Sequence, residues 1–286
     1  MNIEWPSSTN KGTALAKLMH QFDPHRILVD DYVSWFFDET TIATLRDTKP
    51  AAHEDYEDPS KEFSRIGYWF GIFREKYVDS ITEDAIESGC RQLLLLGSGY
   101  DTRFFRLHSI GKHSVATFEI DLPETIKDKR AILEKRLGSL PAGLILIPFN
   151  LNHGDLNDII RSGFQPNVAT VYVLQGVTYY LPRKTVSTVL DFIRTIMASG
   201  SRLIFDCCWP LMLFENDEIP GIRFNIERLR KIGEPYIFGM EPDDMVSWLL
   251  DKGFQSVSVS AQDDLEMHYR NIRTLPKKMW YVVTAK

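Results

Sequence analysis

The sequence predicts an α/β fold built on a doubly wound, mostly parallel sheet of seven strands, and three observations carry that prediction. The run Leu93–Leu107, LLLLGSGYDTRFFRL, opens on consecutive leucines that are apolar on both faces, as an interior parallel strand requires. Gly97-Ser98-Gly99 breaks this strand, and Thr102–Leu107 resumes with helix-compatible residues, so a tight turn leads into a helix whose N–H groups are exposed beside it. From Cys90 onward, short apolar runs alternate with helical stretches, the pattern of right-handed crossovers in a parallel sheet. In such sheets ligands bind outside the carboxyl ends of the strands, at a topological switch point.

Each element follows from local composition. Thr13–Met19 is helical, Phe22–His25 punctuates it, and Asp30–Phe37 reads as a second, aromatic-rich helical stretch. Lys49–Lys61, with two prolines and several acids, reads as an exposed loop. Phe63–Ile86 reads as one long helix, or two broken near Gly67–Gly71, with Tyr68, Trp69, Phe70 and Phe73 clustered for a core or for ligand contact. Strands are expected at Gln92–Leu96, Ser114–Ile120, Leu144–Pro148, Ala169–Gln175 and Ser201–Cys208. The helices between them are Glu124–Leu137, Asp155–Ser162 and Pro182–Ala198, the last entered through a proline. Trp209–Gly239 breaks the alternation and reads as an insertion over the crevice, with a basic helical piece at Arg223–Lys231. Glu241–Lys252 is a helix, and Phe254–Ser260 and Met279–Thr284 are the last two strands. The expected division is a helical cap over residues 1–88 and a ligand-binding domain over 89–286, interrupted near 209–239.

Bulk properties bound the function. The 286 residues allow a large core, and a net charge of −6 supplies no general field for polyanions, which weighs against nucleic acid. The three cysteines, with Cys207 and Cys208 adjacent in an apolar run, read as buried structural thiols rather than metal ligands. The opening MNIEWPSSTNKG lacks a signal pattern and no run approaches membrane-spanning length, so a cytoplasmic protein with no membrane partner is expected.

The Gly97 turn has the first two glycines of a dinucleotide fingerprint, but Thr102 stands where the third belongs. Glu119 and Asp121 end the second strand roughly two dozen residues later, where an acid accepts hydrogen bonds from ribose hydroxyls. Asp121 could instead cap the helix that follows Pro123. A ribose acid beside a glycine turn without full pyrophosphate machinery fits a nucleoside free of phosphates, such as S-adenosylmethionine.

These segments together, LLLLGSGYDTRFFRL and FEIDLPETIKDKRAIL, resemble the leucine carboxyl methyltransferase family, which includes protein phosphatase methyltransferases and bacterial O-methyltransferases of polyketide and other secondary metabolism. The similarity runs nearly end to end, through TALAKLMHQFDPHRILVDDYVSWF, FREKYVDSITEDAIESGCRQ, GFQPNVATVYVLQGVTYYLP and FGMEPDDMVSWLLDKGF. The resemblance implies a Rossmann-like class I methyltransferase fold with S-adenosylmethionine as cofactor. It places Arg74 at the carboxylate of the methionine moiety, where a guanidinium fork suits that group. It sets Gly97 and Gly99 against the amino-acid part and Asp121 on the ribose, with Glu119 in support. Asn150 and Leu151 fall beside the adenine, and Gln175 near the cofactor's amino group. The family usually has aspartate at the position of Asn150 and glutamate at that of Gln175, and an amide brings no charge there.

An in-line methyl transfer needs alignment and exclusion of water more than acid–base help. A carboxylate acceptor is already ionised, and the sequence shows no persuasive base, although His153 or His113 could serve a hydroxyl acceptor. Tyr179 and Tyr180 should face the transfer position, and Trp209, Phe214 and the aromatics of Phe63–Phe73 could wall an apolar acceptor pocket. Arg223, Arg228 and Arg230 could hold an acidic acceptor or form a solvated helix face. The expected activity is S-adenosylmethionine-dependent O-methyl transfer to a carboxylate of a small secondary metabolite or peptide-like acid. The alternatives are a protein of the same fold that binds the cofactor without transfer, and a nicotinamide-dependent oxidoreductase.

Overall fold

The computed structural model describes residues 9–47 and 58–286. Its sheet has seven strands: β1 (Gln92–Leu96), β2 (Ala116–Asp121), β3 (Leu144–Pro148), β4 (Thr170–Leu174), β5 (Arg202–Cys208), β6 (Val257–Ala261) and β7 (Trp280–Ala285), in the order β3-β2-β1-β4-β5-β7-β6. The first five pair in parallel, and β7 runs antiparallel between β5 and β6. All residues of β1 and β4 are buried, as their unbroken apolar character predicts for central strands covered on both faces. The chain reverses its direction of travel across the sheet between β1 and β4, so the switch point lies at Leu96–Gly97 and Leu174–Gly176.

The crossovers α7 (Asn157–Arg161), α8 (Arg183–Ile196) and α10 (Pro242–Asp251) fall within the expected stretches, and α6 (Pro123–Leu137) begins one residue before its own. Helix α6 starts on Pro123, whose fixed φ and missing N–H suit a first turn, and stops at Gly138 with φ +81°. Ahead of the sheet lie α1 (Thr9–Gln21), α2 (Glu39–Asp47) and the long α3 (Pro59–Glu87). Helix α3 is one uninterrupted element; Gly67 and Gly71 do not break it, and Asp58 caps it by accepting from Ser60 N–H at 2.9 Å. The loop expected at Lys49–Lys61 therefore ends by Asp58; its residues 49–57 lie outside the described residues, as do residues 1–8.

Two expectations need correction. Asp30–Phe37 holds only a short 3-10 turn, Val33–Phe36, because Asp30 Oδ1 caps Val33 N–H and sets the chain in a tight turn; the helix follows at α2. After β6 the chain forms α11 (Gln262–Arg270), which no expectation covered; it packs on α3. Helices α4 (Arg103–Arg106), α5 (His108–Lys112) and α9 (Ile222–Lys231) complete the fold. Cys207 and Cys208 are buried free thiols on β5. No helix among the described residues is long and apolar enough to cross a membrane.

Candidate functional site

At the switch point the chain turns on Gly97, whose N–H donates to Ile120 C=O at 2.8 Å, tying the end of β1 to β2. Gly97 has φ +77°, and a Cβ there would lie 2.3 Å from Val177 Cγ2, so no other residue fits. Gly99 N–H donates to Asp121 Oδ2 at 2.7 Å, and the other carboxylate oxygen accepts from Leu122 N–H at 2.7 Å. Asp121 thus braces the turn from the end of β2, and burial raises its pKa despite these donors. Glu119, two residues earlier, is fully buried and pairs with Lys129.

Three adjoining cavities meet here. The first, about 70 Å³, is lined by the glycine turn, Glu75, Asp101, Arg103 and Gln175. The second, about 210 Å³, has Asp121, Leu122, Phe149, Asn150 and Leu151 on its walls and shares Thr9, Asn10, Gly97, Gly176 and Tyr180 with the first. The third, about 200 Å³, lies between α1, α3 and α9 and shares Lys17, Arg74, Tyr179 and Tyr180 with the first. The structure thus gathers Arg74, Gly97, Gly99, Asp121, Asn150, Leu151, Gln175, Tyr179 and Tyr180 around one crevice.

Arg74 projects from α3 and is buried. Its Nη1 donates to Asp206 Oδ2 at 2.5 Å and to Tyr179 Oη at 3.0 Å, while Asp206 Oδ1 accepts from Gly176 N–H at 2.6 Å. Burial opposes the charge of Arg74, but Asp206 and Tyr179 outweigh it and push its pKa up, so the guanidinium stays cationic. Its Nε is buried with no partner, and Nη2 makes no hydrogen bond within the described residues. That side-on edge is the one a carboxylate takes bidentately. An orphaned, buried donor edge at the mouth of the glycine turn fits the methionine carboxylate of S-adenosylmethionine, and the apolar second cavity with Asp121 at its rim fits an adenosine.

Gln175 explains its own amide. Its Oε1 accepts from Arg103 Nη2 at 2.7 Å, and its Nε2 donates to Glu75 Oε2 at 2.5 Å. A glutamate at 175 would set a second carboxylate against Glu75, whereas the amide bridges cation and anion. The negative charge at this wall comes instead from Glu75 and Asp101. Burial opposes ionisation of Glu75, but Arg103, Lys17 and Arg106 hold its pKa well below the usual carboxylate range. Arg103 also pairs with Asp79 at 2.8 Å and with Asp101, and Arg106 pairs with Glu75 and Asp79. Lys17 reaches Asp30 at 3.4 Å and Glu75 at 3.5 Å. Asn150 Oδ1 accepts from Asn152 N–H at 2.9 Å, which stabilises the loop after β3, and Asn150 lines the second cavity.

The third cavity is walled by aromatics. Phe70 stacks on Trp280 (ring centroids 5.2 Å, planes 9° apart), and Tyr179 packs on Tyr236 at 4.5 Å. The cluster on α3 divides by face: Phe63, Tyr68 and Phe70 line the cavity, while Trp69 and Phe73 stack together in the core. Trp209 is not a wall of it. It is buried on the far side of β5, edge-on to Tyr281 at 4.9 Å, because β5 continues to Cys208 and its N–H pairs with Met279 C=O. Phe214 is exposed, and Arg223 lies in solvent beside Glu215 and Asp217. Arg230 borders a different cavity, and only Arg228 of the three arginines lines this one. His113 pairs with Glu87 away from the crevice, and His153 is exposed. Lys17, Glu75, Asp101, Arg103, Asp206, Asn225, Tyr236 and Trp280 carry no assignment from the sequence; only Asp101 and Arg103, directly after the glycine turn, left a local signal.

The family model described as Leucine carboxyl methyltransferase matches residues 11–194. A Streptomyces avermitilis protein described as a candidate S-adenosyl-L-methionine-dependent methyltransferase is 27% identical over 240 residues, covering 83% of this chain and 81% of its own. A Frankia alni protein of the same description is 27% identical over 209 residues, 71% of this chain and 68% of its own. The crystal structure of a candidate methyltransferase from Thermobifida fusca shares the fold with a TM-score of 0.56 over 99% of both chains, at 15% identity.

Proposed function

The chain belongs to the leucine carboxyl methyltransferase family and is an S-adenosylmethionine-dependent methyltransferase; from that premise we propose that it esterifies the carboxylate of a small metabolite or peptide-like acid in the cytoplasm. The observation that supports the carboxylate is the chemistry of the third cavity's lining. Its charged residues are Lys17, Arg74 and Arg228, with no acid and no histidine among the described lining residues. Its phenols stay protonated: burial pushes Tyr180 up to about 12 and, with Asp206 adding for Tyr179, carries Tyr179 and Tyr236 well above the ordinary range. No group there can take a proton at neutral pH, so the acceptor oxygen must arrive ionised, and a carboxylate does so.

In this reading Asp121 holds the ribose, the Nε–Nη2 edge of Arg74 holds the methionine carboxylate, and Glu75 with Asp101 faces the ammonium. When bound, the cofactor supplies an electrophilic methyl carbon on a sulfonium. The chain contributes orientation and a dry site: Tyr179 and Tyr180 form the boundary between the first and third cavities, and the cationic lining favours an anion next to it. The described residues of the expected cap, 9–47 and 58–88, cover the crevice, and the segment near 209–239 forms the outer wall of the acceptor site.

The test is transfer of a tritiated methyl group from S-adenosylmethionine to a panel of small carboxylic acids. The expected product releases labelled methanol in mild base, as an ester does. Label in a base-stable product would replace the carboxylate by a hydroxyl acceptor, and cofactor binding without transfer to any acid would overturn the reading.

A further inference from the structure

The third cavity is kept open by glycines that the packing of the fold does not require. A Cβ on Gly71 of α3 or on Gly12 of α1 would meet nothing within 4 Å, and one on Gly67 would touch only Trp280, at 3.9 Å. Within a helix each such glycine is destabilising relative to alanine. The volume of about 200 Å³ exceeds the ~150 Å³ that holds a benzene molecule in an apolar cavity. One substituted ring therefore fits, between the stacked Phe70–Trp280 pair and Tyr236.

At the side of this cavity not shared with the glycine turn, α9 supplies two polar residues. Asn225 is 1% exposed; its Oδ1 accepts from Arg228 Nη2 at 3.1 Å, and its Nδ2 is buried with no partner. A buried amide donor left unmatched is destabilising, and a ligand oxygen would satisfy it. Arg228 has no carboxylate within ion-pair distance among the described residues, unlike Lys17 and Arg74 in the same lining. An unneutralised guanidinium and an orphaned amide donor side by side form a receptor for an oxyanion.

We propose that Asn225 and Arg228 anchor a second carboxylate on the methyl acceptor, which is therefore a single-ring dicarboxylic acid methylated at the end facing Tyr179 and Tyr180. The assignment of the methylated end rests on the carboxylate-esterifying reading above; the anchor itself does not. The full-length protein, with and without S-adenosylhomocysteine, is titrated calorimetrically with benzene-1,4-dicarboxylate and with 4-methylbenzoate, a mono-acid of the same outline. The diacid is expected to bind about tenfold more tightly or better, ~1.4 kcal/mol for each factor of ten. In the double variant Asn225→Leu, Arg228→Met the preference falls to within about twofold, while S-adenosylhomocysteine binds as in the parent. Gly71→Met, which grows into open space from another helix, abolishes binding of both acids with the same cofactor control. Equal binding of the two acids, a preference that survives the double variant, or no binding of either acid would overturn the anchor. Diacid binding with no methyl ester formed strikes the esterification reading alone.

Discussion

The cavity at the glycine turn and the cavity beside α9 share Thr9, Thr13, Lys17, Arg74, Tyr179 and Tyr180, yet their remaining walls differ in kind. Under the turn, Arg103 and Arg106 with Lys17 interlock with Asp30, Glu75, Asp79 and Asp101, and Gln175 bridges the two signs. Beside α9 the walls are rings and glycines, with one matched pair and one orphaned donor. A buried network in which each charge is answered fixes a single geometry, as a site for one invariant cofactor needs. An apolar cavity with few polar points sets size and polarity and leaves the acceptor to vary. In the proposed reading the first wall holds the cofactor and the second selects the acceptor.

The sharpest way to break this contrast is Arg103→Met. It leaves Asp79, Asp101 and Glu75 without their central cation and should cost about 3–5 kcal/mol of stability, read as a lowered denaturant midpoint at unchanged slope. A change within error would mean that the network is ornament. Next is Asp121→Ala, expected to weaken S-adenosylhomocysteine binding about a hundredfold (~2.7 kcal/mol) and to leave 4-methylbenzoate binding untouched. Parallel losses of both ligands would dissolve the distinction between the two cavities.

A smaller effect should appear with pH. Burial raises Glu119 to about 7 even though Lys129 pulls it down. Its folded-state pKa lies above its unfolded value near 4.5, so the stability it contributes is complete below that value and is lost as pH rises toward 7. The thermal midpoint should fall by a few degrees across this window, and Glu119→Gln should remove the slope. The smallest effect is Gly71→Ala, predicted to stabilise α3 by ~0.5–1 kcal/mol with S-adenosylhomocysteine binding unchanged; destabilisation would show that the glycine serves packing after all.

The same contrast governs what the sequence reveals. The four-leucine strand, the Gly97 turn and Asp121 are contiguous motifs with local physical causes, and the structure brings them together. The expected α3 stands as one helix because nothing in Gly67 or Gly71 forces a kink when the flanking aromatics pack. Beside α9, by contrast, Gly71, the pair Asn225 and Tyr236, and Trp280 come from three distant stretches, and no spacing rule joins them. Trp209 fails for the same reason. A tryptophan just past a strand can enter either layer, and here the antiparallel pairing of β5 with β7 turns it toward Tyr281. Helix α2 was obscured by the aromatics before it, and α11 by its acidic first turn, Asp263 and Asp264, which reads equally as loop.

The strand order β5-β7-β6 carries a consequence for how the protein is made. Strand β6 is synthesised before β7, yet β7 is its sheet neighbour and separates it from β5. As the chain leaves the ribosome, β6 and the helix after it must wait without a template while β1 to β5 can already pair. Trp280, the first residue of β7, stacks on Phe70 when that strand slots in. The nascent chain can therefore pair β1 to β5, the strands around the glycine turn, before Trp280 reaches Phe70 and completes the wall of the third cavity.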